Sequence, residues 1–227
     1  MKIFRVFFIL FILSVISVNT VGADEMRLDR AIYHQRAVME TGFRLLNCSR
    51  YEQRITFFYT TESKPRVKIN NRKKSITVTK GVLPFVDNED EMAAVLSTAI
   101  AHLMDIQSGF FRRFSISFSP RKYEVKADKK AVDLMVKAGY NPVALITLIN
   151  KTGNEPCWFE YNIFHHRGSE RTTYIYHYIY EKYPSFLANN EYFENDVYQN
   201  FLHTTKQDRK KVRMIQEQKL KQKKKQK

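Results

Sequence analysis

The 227-residue chain predicts an α+β fold, mostly helical, with one small and largely antiparallel sheet. Long stretches repeat apolar side chains at helical spacing, and one compact region holds three short runs of β-branched and aromatic residues. Asn, Pro and Gly punctuate the positions where helices start and stop. With 44% hydrophobic and 27% charged residues, the composition suits a single folded core.

The first 23 residues stand apart. Lys2 and Arg5 make a positive start, Val6 to Val18 is an unbroken apolar and small run, and Val21-Gly22-Ala23 offers small side chains where a signal peptidase cuts. This predicts a secretory signal over 1–23, removed before Asp24, with an uncleaved N-terminal anchor as the alternative. The run is shorter than the roughly 20 apolar residues that cross a bilayer. On either reading the domain, taken as 24–203, is exported, to the periplasm or the cell exterior, free or held at the membrane.

From Asp24 to about Leu46, the residues Leu28, Ile32, Val38, Met39, Phe43 and Leu46 predict an amphipathic helix. Three strands follow at 54–60, 65–69 and 75–79, with a hairpin at Asn70-Asn71 between the last two. A helix then starts at Asn88, which caps it while Glu91 answers three residues later, and runs to near Gly109. Ser119-Pro120 opens the next, with Pro in its first turn, and Gly139 closes it. Asn141-Pro142 opens a short helix to about Asn150. Ser169 caps another to about Lys182, although Tyr174, Tyr176, Tyr178 and Tyr180 alternate with a period of two, which alone favours a strand. Beyond Pro184, residues 191–218 read as one helix grading into a basic tail.

That tail dominates the charge. Between Lys206 and Lys227, eleven Lys or Arg stand against Asp208 and Glu217, so nine of the fifteen net positive charges lie there. Residues 204–227 are expected to be disordered or a frayed helix, and to attract anionic lipid or envelope surfaces or simply to be solvated. Nucleic acid is not the expected partner: export argues against it, and no aromatic-interleaved basic motif is present. Export also admits a disulfide, so Cys48 and Cys157 either pair or remain buried thiols.

One helix carries the functional clue. Five positions in it read Thr98-Ala99-Ile100-Ala101-His102, where a zinc-peptidase helix has His-Glu-x-x-His: two imidazoles one turn apart and a carboxylate to deprotonate metal-bound water. On the following helix Glu124 and Asp128 lie four apart, among Lys122, Lys126, Lys129 and Lys130. Taken alone, those two acids read as solvated ion-pair partners.

The order of motifs changes that. Phe85-Val-Asp-Asn-Glu-Asp-Glu-Met-Ala-Ala-Val-Leu96 leading to Ala101-His102, then Tyr123-Glu-Val-Lys-Ala-Asp128, Val136-Lys-Ala-Gly-Tyr-Asn-Pro142 and His165-His166 with Arg171, resembles the motif series of the HtpX/BepA-type zinc metallopeptidases, relatives of the CAAX prenyl proteases. Ile76 to Leu83 also resembles the strand and turn that enter their active-site helix, and the likeness covers about residues 25–182. It implies a zincin-like domain with zinc as the family cofactor. By position, Thr98 stands at the first histidine ligand, Ala99 at the general base, His102 at the second histidine and Glu124 at the third ligand. Asp128 matches the aspartate that steadies the first histidine, and His165 and Arg171 match the ends of a His-Pro-x-x-x-x-Arg element beside the cleft; His166 replaces its proline.

Three readings follow. The first is a catalytically inactive pseudopeptidase, exported, that binds polypeptide or envelope-assembly partners, with zinc absent or weakly held. The second is an active zinc metalloendopeptidase with an altered site, its metal on His102, Glu124 and either His165 or His166. The third is an adaptor whose basic tail engages an anionic envelope surface.

Overall fold

A computed structural model describes residues 26–49, 54–107, 120–153 and 168–225. In chain order these form α1 (26–47), β1 (Thr56–Thr60), β2 (Val67–Asn70), β3 (Ser75–Thr79), a 3₁₀ helix (Lys80–Phe85), α2 (Glu89–Gln107), α3 (Pro120–Lys137) and α4 (Ala144–Thr152). Then come α5 (Gly168–Lys182), the short α6 (Ser185–Ala188), α7 (Asp196–Thr204) and α8 (Lys206–Lys225). The fold is therefore mostly helical with one small sheet. The predicted signal over 1–23, Cys157, His165 and His166 lie outside the described residues. No described helix is long and apolar enough to cross a membrane.

The sheet corrects the antiparallel expectation. Its strand order is β1-β3-β2, with β2 antiparallel to β3 but β1 parallel to it. Parallel strands need a crossover of about a dozen residues, and here β2 with its two loops is that crossover. The segment between β1 and β2 passes over the end of β3 and is pinned there. Thr79 Oγ1 donates to the Lys64 carbonyl at 2.7 Å and accepts from Arg66 N at 2.9 Å, while Gly81 N donates to the Glu62 carbonyl at 3.1 Å. Gly81 is required by this crossing, since a Cβ there would sit 2.2 Å from the Ser63 carbonyl oxygen. The outer edge of β1 is covered by α1: Gln35 donates to the Phe57 carbonyl at 3.0 Å and accepts from Tyr59 N at 2.6 Å. One side chain thus satisfies an edge that would otherwise recruit another strand.

Behind the sheet lies α2, buried at every position from Glu91 to Leu103. Its alanines at 93, 94, 99 and 101 let neighbours approach closely, and it packs most extensively on α3, then on α4 and the sheet. The predicted start is present: Asn88 Oδ1 accepts from Glu91 N at 2.9 Å, and Glu91 reaches back to Asp87 N at 2.8 Å. Helix α3 ends at Gly139 as expected, with φ of 77°; Gly139 N bonds the Val136 carbonyl and Tyr140 N the Met135 carbonyl.

The tyrosine-rich segment forms the expected helix. Thr172, Ile175 and Ile179 are fully buried at helical spacing and override the alternation, leaving the tyrosines on either flank. The single helix expected over 191–218 is interrupted. Asn195 caps a new start by accepting from Tyr198 N at 3.1 Å, and the chain bends again at Thr205. The segment from 204, expected as a disordered tail or a frayed helix, is helical over Lys206–Lys225 and packs against α5. Asp208 in its first turn and the Arg213–Glu217 pair, one turn apart, support that helix.

Gly81→Ala forces backbone to move at the crossing and is expected to cost about 1–3 kcal/mol. Urea denaturation measures it, and an unchanged midpoint would remove the crossing as a constraint.

Candidate functional site

Because α2 has no exposed side between Glu91 and Leu103, each polar side chain there must be satisfied internally. Ser97 and Thr98 turn their hydroxyls back on their own helix, donating to the Ala94 carbonyl at 3.1 and 2.9 Å. His102 and Asp105 follow at positions four and seven beyond Thr98, so the three share one face. Asp105 pairs with Lys130 of α3, tying the two helices together. Helix α3 carries Glu124 and Asp128 one turn apart, both buried.

Arg171, in the first turns of α5, completes the cluster. Its Nε donates to Asp128 Oδ2 at 2.9 Å and its Nη2 to Oδ1 at 2.7 Å, a two-pronged bond that matches the fork of the guanidinium to the carboxylate. The same Nε lies 3.8 Å from Glu124 Oε1. One cation therefore faces two buried carboxylates, and burial makes that pairing obligatory, since an uncompensated buried charge is far costlier than a paired one. His102, Asp105, Glu124 and Arg171 are all partnered.

The expected site residues thus fall into two groups. The structure brings Glu124, Asp128 and Arg171 into one cluster between α3 and α5, with Thr98, Ala99 and His102 on the helix packed against α3. Cys48 is exposed just past α1, so it is not the buried thiol of one reading; Cys157, with which the other reading would pair it, lies outside the described residues, as do His165 and His166.

The described residues do not fit a catalytic zinc. Such a site needs three protein ligands, an open position and a base. Thr98 directs its hydroxyl proton to its own helix, Ala99 contributes a fully buried methyl group, and the Glu124 carboxylate already has a guanidinium beside it. Among the described residues, no group of three or more His, Cys, Asp or Glu side chains is arranged to hold a metal ion.

Sequence reasoning missed two further clusters. Glu91, read only as a cap, is fully buried and accepts from Thr147 Oγ1 at 2.8 Å and from Lys151 Nζ at 2.7 Å, so α4 anchors the start of α2. Asp133 accepts from Tyr178, Tyr183 and Lys182 at 2.8–2.9 Å, joining α3 to α5. The four-residue spacing of Tyr178 and Lys182 is a local sign of the second; Lys151 left none, since its partner is 60 residues away.

No family model matches the chain, and no curated protein matches it.

Arg171→Met leaves two buried carboxylates without their cation and is expected to cost about 3–5 kcal/mol in urea denaturation. Adding Asp128→Leu should recover part of that loss. A double variant less stable than the single one would contradict the assigned pairing.

Proposed function

We propose that the chain is a zincin-like pseudopeptidase, an exported domain that binds polypeptide or envelope-assembly partners without cleaving them. The observation that supports this reading is that His102, Glu124, Asp128 and Arg171 follow in the order of the resembled motifs, while Arg171 pairs with the carboxylates and position 99 holds a methyl group. Peptide hydrolysis needs a group that takes a proton from the attacking water and returns it to the leaving amine, a contribution of roughly 10²–10⁴ in rate. Ala99 has no atom for that task. What remains is a frame whose polar groups hold α3 and α5 in place, which suits recognition of a chain segment and not its turnover.

The test pairs cleavage with binding. Full-length protein, incubated with unfolded casein with and without chelator, should release no new fragments while retaining casein in a fluorescence-anisotropy titration that chelator leaves unchanged. Chelator-sensitive cleavage, abolished by His102→Ala, would establish the active peptidase in its place. Absence of both cleavage and retention would remove the polypeptide reading.

A further inference from the structure

Residues three and four apart share one side of a helix, so α8 lays Lys206, Arg209, Lys210 and Arg213 along a single face. That face meets α5, and together they enclose an open pocket of about 360 Å³ lined by those four cations with Tyr176, His177 and Tyr180. No carboxylate is among these lining residues. The acids of α8 are engaged along the helix: Asp208 lies 3.7 Å from Lys211, and Glu217 accepts from Arg213 Nε at 3.1 Å. Lys206 and Lys210 have no carboxylate partner among the described residues.

Arg209 is fixed in position. Its Nη2 donates to the Leu202 carbonyl at 2.7 Å, its Nε to Thr205 Oγ1 at 3.2 Å, and its guanidinium lies 5.0 Å from the centre of the Tyr176 ring. Beside it, His177 is buried, with Nε2 3.0 Å from the Arg209 carbonyl oxygen. A carbonyl only accepts, so Nε2 carries the proton, and Nδ1 is left buried without a hydrogen-bond partner. Burial holds the imidazole below its ordinary pKa; the bond to the Arg209 carbonyl and Glu181 on its own helix oppose this, while the charges of Arg209 and Arg213 reinforce it. An anion in the pocket would offset those charges and favour the protonated ring.

We propose that the pocket between α5 and α8 binds a phosphate group, carried by a lipid head group or by free phosphate. Several cations converge there with no acidic lining, and one carboxylate would leave most of that charge uncompensated. A phosphate presents more acceptor oxygens than a carboxylate to lysine and arginine donors, and as the free anion it also carries more charge. The site lies on a face of α5 and α8 and stands whether or not the polypeptide reading holds. It also turns the general basicity of the C-terminal segment into a place with defined walls.

Inorganic phosphate, titrated into the full chain while the His177 ring and the α8 amides are followed by NMR, should give saturable shifts and raise the His177 pKa. Lys206→Gln with Lys210→Gln, both exposed and so compatible with folding, should weaken binding about tenfold, a size expected for losing charge-assisted contacts. Lys219→Gln with Lys221→Gln removes the same charge from the far end of the helix and should leave it within about twofold. Vesicles containing phosphatidylglycerol, compared with phosphatidylcholine alone, identify the source. Pocket-dependent vesicle binding assigns a head group, and pocket-dependent binding of inorganic phosphate alone assigns the free anion. Equal weakening by both lysine pairs, or no saturable response to either probe, would overturn the site.

Discussion

A helix enclosed on every side must settle all its polar groups inside the protein, and α2 imposes that condition on its neighbours. Glu91 at its start is held by Lys151 and Thr147 of α4, and Asp105 farther along by Lys130 of α3. Each such bond spans two helices and satisfies a buried carboxylate, which would be strongly unfavourable if left unpaired. The placement of α3 and α4 therefore follows from electrostatics as well as from packing. Helix α5 is drawn in by the same logic at one remove, through Arg171 on Asp128 and the tyrosines on Asp133.

This arrangement gives Glu124 and Asp128 a structural occupation. Glu124 and Asp128 resemble a ligand and its supporting carboxylate in sequence, yet both face a guanidinium. Arg171 brings positive charge to the carboxylates while forming no centre able to polarise a water. A fold can keep such a seam after catalysis is lost, because the acids are still needed to hold helices together. On the proposed reading, what survives in the motif is what packing requires.

Much of the fold was legible in the sequence because its signals are local. The Asn88–Glu91 start and the Gly139 stop each depend on residues within a turn of one another, and both are present. The parallel pairing of β1 was not legible, since it depends on Thr79 and Gly81 gripping a loop some fifteen residues earlier in the chain. The alternating tyrosines pull against a helix that Ser169 signals at its start and that the segment does form. The half-buried rings of Tyr178 and Tyr176 follow where Asp133 and Arg209 lie, whereas Thr172, Ile175 and Ile179 carry the helical burial. At the site, the identity of each position was readable, but the partner was not. That Arg171 reaches Asp128, or that Lys206 to Arg213 close a pocket over His177, depends on helices brought together from distant parts of the chain.

On the proposed reading, Arg171 supplies the positive charge that a metal would otherwise bring to the carboxylates of the seam. The decisive measurement is the zinc content of the full chain after equilibration with excess zinc and gel filtration. The chain as it stands should retain no zinc. One chelator-removable zinc per chain, lost on His102→Ala or Glu124→Gln, would contradict it.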